Sequence, residues 1–281
     1  QRYEDSAGRV FGVAGVEGEV PTIFVTNNIP AADTISTDEI RVGGSLGLSL
    51  SGTGSKIGLW DGGDVYNAHY EFSFLGQRVT DKDGAQGIVG HSTHVAGTLA
   101  ASGVLASGGV PVLKGMSTGA EVHSYYFFPD TGPMATAASV DDLRISNHSY
   151  SAQRGWGTVK ISGATYLAWW GDTAINDQQD SRFGFYDSEY TRPIDQVAYN
   201  APWYLPVWSA ANERGSDGAA PASQPVFHYM RSGDVLLTNS TLTHPTDGDS
   251  GGYDTLSNQP VAKNVLTVTA VSGITGGYVN S

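Results

Sequence analysis

Cysteine is absent from the 281 residues, which excludes disulfides, thiol catalysis and cysteine-based zinc sites. That absence leaves the compartment open, since exported bacterial proteins also avoid cysteine. Basic residues are scarce, 15 against 28 acidic ones, for a net charge of −13. Binding to nucleic acid or to an anionic membrane needs a basic face, so neither partner is expected. No window approaches the roughly 18 consecutive apolar residues of a membrane span. The chain opens at Gln1 with no basic-then-apolar leader, as expected of a processed, secreted or extracellular protein, periplasmic location included. What is abundant is glycine, 37 residues, with 10% aromatic and only 15% charged side chains. That balance describes a loop-rich globule and excludes a disordered or coiled-coil chain.

With no internal repeat and no low-complexity linker, the expectation is one domain over residues 1–281. Residues 1–50 are polar and glycine-punctuated and read as a lead-in, with 41–51 a loop or short helix. The core over 51–281 alternates short apolar runs with helix-like segments. Strands are expected at 56–60, 121–128, 143–149, 205–209 and 264–270. They are rich in Val, Ile, Tyr and Trp without clean alternation, the pattern of strands buried on both faces. Helices are expected at 91–101, 135–142 and 193–201. Strands separated by helices predict an α/β fold in three layers, a mostly parallel sheet flanked by helices. Two stretches break the rhythm, about 152–191 and 215–259, and read as loop insertions with functional potential. The glycosylation sequons at Asn147 and Asn239 carry little weight, Asn147 falling on an expected core strand.

Three short blocks carry chemistry. The run Ile57 to Trp60 ends on Asp61, at the strand end where open α/β sheets place their sites. Taken alone, a strand-ending aspartate more often caps the next turn. Thirty residues on, GHSTHVAGTLAASG opens a helix with His91. Its small residues Ala96, Gly97, Ala100 and Ala101 mark close packing against a neighbour. His91 and His94 share a helix face, but the His-Glu-x-x-His spacing of zinc proteases is absent. An aspartate at a strand end and a histidine at a helix start can meet across a cleft and orient an imidazole as a general base. The third block, SAANERG after LPVW, ends a buried strand on Asn212, which could aim a carboxamide at an oxyanion or simply form a turn.

In order, GLWDGG, GHSTHVAGT and SAANERG resemble the aspartate, histidine and oxyanion-asparagine blocks of subtilisin-like serine proteases. SNHSYS, ending on Ser151, resembles that family's substrate-pairing strand, and AKNVLTVTAV the strand after the oxyanion block. The resemblance runs from about Lys56 to Val271. It implies a serine endopeptidase acting through an acyl-enzyme, with no cofactor required. Asp61 would orient and stabilise the imidazolium, and His91 would move the proton. Asn212 would donate to the oxyanion, a contribution of roughly 3–4 kcal/mol in enzymes of this kind. Ser149, Tyr150 and Ser151, with Ala210 and Ala211, would wall the pocket for the residue before the cleaved bond. His94 would be a structural neighbour.

The departures from the family pattern are specific. Ser92 stands where the family has glycine, Gly62 where it has Thr or Ser, and Ala211 where it commonly has glycine. Residues 103–113 lack the acid and amide side chains of the family's strong calcium loop. Asp81 and Asp83 before Gly84 give a weaker calcium signal, for which an acidic turn is the alternative. No Gly-Thr-Ser-Met-Ala block follows the AKNVLTVTAV stretch. GDSGG at 248–252 looks like the nucleophile block of chymotrypsin-type enzymes, but those run His before Asp on a β-barrel fold, so Ser250 reads as a loop residue. The nucleophile is therefore expected on a C-terminal fragment of the same precursor, cleaved after Ser281 and still bound, with proteins or peptides as substrates. The alternative is a catalytically inactive relative that uses the scaffold to bind.

Overall fold

Strands that are apolar on both faces need cover on both sides, and the chain intersperses them with helices to provide it. The computed structural model describes residues 2–4, 10–17, 20–25, 28–107, 110–111, 113–161, 163–170, 183–214, 226–230, 235–240 and 255–274. Two compact units emerge. The first comprises Gln1–Pro133, Asp142–Asn147 and Ala270–Ser281, and the second Met134–Asp141 and His148–Thr269.

In the first unit β1 (Arg2–Glu4), β2 (Val10–Glu17) and β3 (Val20–Val25) form an antiparallel sheet. Short helices α1 (Asn28–Thr34) and α2 (Thr37–Ile40) follow. The parallel core is built from β4 (Lys56–Asp61), α3 (Tyr70–Ser73), β5 (Val79–Asp81) and α4 (Gly90–Ala100). A small ribbon, β6 (Ala106–Ser107) with β7 (Val110–Pro111), precedes β8 (Glu121–Tyr126). Then come α5 (Thr131–Ser139) and β9 (Ile145–His148), whose first three residues belong to this unit. The strand order is β9-β4-β8-β5. Both β4 and β5 run parallel to β8, with Lys56 opposite Glu121 and Asp61 opposite Tyr126.

Helix α4 is thin where it meets the sheet. Ala96 and Ala100 are buried with Leu59, Val65, Phe72, Val79 and Val122 in one apolar cluster. Trp60 stacks on Tyr125 at 4.1 Å, locking β4 to β8 just below the strand end.

The second unit contains a hairpin of β10 (Trp156–Ile161) and β11 (Ala164–Trp169) within the stretch that reads as irregular. Gly163 turns it with φ of 86°, a conformation open to glycine, and Trp156 meets Trp169 edge to face. Helix α6 (Thr191–Asn200) buries Thr191, Ile194, Asp195 and Ala198, one face at helical spacing. Strand β12 (Leu205–Ser209) pairs in parallel with a later strand, Leu266–Val268. Between them β13 (Val226–Met230) and β14 (Val235–Ser240) extend the hairpin into a four-stranded sheet, and Leu266–Val268 is β15. Both loop insertions thus carry strands. The predicted core strands and helices all occur, shifted by a few residues at their ends. Among the described residues no helix is long and apolar enough to cross a membrane.

Candidate active site

Asp61 closes β4 with its side chain 4% exposed, while His91, the second residue of α4, is 57% exposed. His91 Nδ1 lies 2.8 Å from both Oδ1 and Oδ2 of Asp61. A carboxylate accepts only, so Nδ1 carries the proton and donates, leaving Nε2 as the acceptor nitrogen. Asp61 Oδ1 also receives the Gly62 N–H at 2.7 Å and the Ser92 hydroxyl at 3.0 Å. The strand-end aspartate and the helix-start histidine meet as the sequence predicts.

The loop entering α4 is held by a residue that sequence reasoning passed over. The Asp64 carboxylate accepts the N–H groups of Gln86 and Gly87, and the Asp64 backbone pairs with Gly87 and Val89. Thr93 Oγ1 donates to Val89 C=O and accepts the Tyr66 N–H, closing the first turn of the helix. These bonds fix where His91 starts. The only sequence signal for Asp64 was its place three residues after Asp61 in a glycine turn. His94 lies exposed on the same helix.

In the second unit, Asn212 is exposed three residues beyond the end of β12, and its N–H donates to Glu213 Oε2 at 2.7 Å. Ala210 N–H bonds Val268 C=O, and Ala211 takes φ of 65°. Ser149, Tyr150 and Ser151 run straight off β9 and are half-buried. Trp208 Nε1 donates to Tyr150 C=O at 2.6 Å, tying β12 to the stretch after β9. His148 stacks on Trp208 at 4.0 Å, and its Nδ1 lies 3.1 Å from the Tyr150 hydroxyl. Burial pushes His148 down to about 3, so it is a neutral packing residue.

In the stretch after α4, N–H groups converge on a carboxylate. Glu71, buried, accepts the N–H groups of Gly103, Val104 and Leu105 and the Ser102 hydroxyl. Asp81 and Asp83 both take part in turn bonds: Asp83 N–H donates to Asp81, and Tyr126 N–H to Asp83. Burial raises the Asp83 carboxyl above its ordinary range. Among the described residues no three His, Asp or Glu side chains converge as metal ligands. Ser250 and the rest of GDSGG lie outside the described residues.

A buried carboxylate that orients an imidazole at the end of a parallel strand has the geometry to move a proton to and from a hydroxyl nucleophile. The subtilase family, peptidase S8, matches residues 52–278. The chain belongs to this family of serine proteases, and its α/β fold is subtilisin-like. No curated protein matches it.

Proposed function

We propose that the chain is the aspartate- and histidine-bearing part of a secreted serine endopeptidase, with its serine on polypeptide outside these 281 residues. The observation that carries this is the 2.8 Å contact between His91 Nδ1 and the Asp61 carboxylate in a chain of the subtilase family. That contact holds Nε2 ready to take a proton from a serine hydroxyl and return it to the leaving amine. The exposed Asn212 stabilises the tetrahedral oxyanion. Ser149, Tyr150, Ser151, Ala210 and Ala211 form the walls that receive the residue before the cleaved bond. The partners are the serine-bearing polypeptide of the same precursor and protein or peptide substrates. Catalysis requires no metal.

Fluorophosphonate labelling of the natively purified protein, followed by mass spectrometry, tests the reading. Label is expected on a serine outside this sequence, and His91→Ala should cut its rate by at least about a thousandfold. Label on Ser250 would move the nucleophile into this chain. Native protein that takes no label would instead be an inactive, binding member of the family.

A further inference from the structure

Ser92 is wholly buried, and its hydroxyl donates to Asp61 Oδ1 at 3.0 Å. That oxygen also receives Gly62 N–H at 2.7 Å and faces His91 Nδ1 at 2.8 Å, while Oδ2 faces His91 Nδ1 at the same distance. Two donors besides the imidazole thus fix the plane of the carboxylate. They also share the carboxylate's charge, so that less of it faces the ring.

The sequence pattern points the same way independently. In the resembled blocks a hydroxyl residue follows the aspartate and glycine follows the histidine; here Gly62 follows Asp61 and Ser92 follows His91. The hydroxyl has changed sides of the pair. Crowding does not require the glycine, since a Cβ on Gly62 would meet nothing closer than the Phe127 ring at 3.9 Å. Gly62 is also absent from the left-handed residues of the chain, so a side chain there carries no backbone strain.

We propose that Ser92 is a positioning residue for the Asp61–His91 pair, replacing from the helix a hydroxyl that the strand end lacks. The proposal rests on Asp61 and His91 being the catalytic pair. It assigns Ser92 no contact with substrate. Its effect travels through the carboxylate, whose angle and charge set how strongly His91 takes a proton.

The test compares Ser92→Ala, Ser92→Gly and the exchange variant Gly62→Ser/Ser92→Gly. Two readouts are used, both in the native protein: NMR titration of the His91 ring protons, and fluorophosphonate labelling against pH. With the Ser92 donor gone, more negative charge faces the imidazolium. Its titration should then move to higher pH, the acid limb of labelling should move with it, and the plateau rate should fall about tenfold. The exchange variant should recover both. A Ser92→Ala chain that melts earlier with the His91 titration unmoved would show a packing role only and overturn the proposal. If the native protein takes no label while the His91 titration still responds to Ser92→Ala and recovers on exchange, the positioning role stands and the protease reading falls.

Discussion

Ala211 holds φ of 65°, in the left-handed region where a Cβ crowds its own backbone. Such a conformation costs a non-glycine residue about 1–2 kcal/mol, so the surrounding turn must impose it. Ala210 N–H is bonded to Val268 C=O on one side, and Asn212 N–H to Glu213 on the other. The strain sits between two anchored neighbours, one residue before the exposed Asn212. Glycine would relieve it while adding about 0.4–1 kcal/mol of unfolded-chain entropy. Ala211→Gly should therefore raise stability by up to about 1 kcal/mol, read from the urea midpoint, whereas Ala211→Val should lower it by at least as much. A glycine variant less stable than the parent would show that the methyl group packs favourably. The identity of Ala211 as an odd residue was visible in the sequence, as were Asp61 and His91, because each departs from or completes a local pattern. Ser92 was visible as a substitution, but its bond to Asp61 spans 31 positions. Asp64 was missed for the same reason, its partners lying 22 and 23 positions away.

Helix α4 is readable as an element because small residues at helical spacing announce a close neighbour. Ala96 and Ala100 are buried as expected, and Gly115 explains how close the approach is. A methyl group there would overlap the backbone of Gly97, Ala100 and Ala101. What stabilises the helix exit is not local. Arg78, held below its ordinary range by burial, donates to Ala100 C=O at 2.8 Å, Ala120 C=O at 3.0 Å and Glu71 C=O at 2.7 Å. A cation at a helix C-terminus is favourable. The Glu71 carboxylate then ties down residues 102–105. Removing it leaves those N–H groups without acceptors, so Glu71→Ala should cost about 3 kcal/mol or more. Thermal unfolding should show the loss, and amide exchange at Gly103–Leu105 should accelerate beyond that of the rest of the chain. Unchanged protection there would mean the loop is held by other bonds. The β10–β11 hairpin was legible in principle from the Ser-Gly pair between two Val, Thr and aromatic runs. The aromatic and glycine richness of the stretch drew attention to an insertion instead. The β1–β3 sheet was hidden because Gly12 and Gly15 interrupt the β2 alternation.

Two opposing forces set how the whole molecule responds to acid. A chain of net charge −13 with pI near 4.7 loses self-repulsion as pH falls, which favours the folded state. His148 acts against that. Burial pushes it from 6.5 to about 3, with Trp208 stacked on its ring and the Tyr150 hydroxyl beside Nδ1. Between those two values the unfolded chain binds a proton that the folded chain refuses, so stability falls as pH drops below 6.5 and the loss is complete near 3. By pH 4.5, two units below the unfolded value, the penalty should reach roughly 2–3 kcal/mol. Repulsion among solvated surface charges is screened within about 10 Å at 0.1 M salt, so at that ionic strength the buried histidine should dominate. His148→Phe keeps an aromatic ring on Trp208 and removes the titration. Urea unfolding at 0.1 M salt should give a wild-type stability that declines from pH 6.5 to 4.5. The variant, about 1 kcal/mol weaker at pH 7.5 for loss of the Tyr150 bond, should stay level or rise over the same range. Parallel curves for the two proteins would place the acid sensitivity elsewhere than on His148.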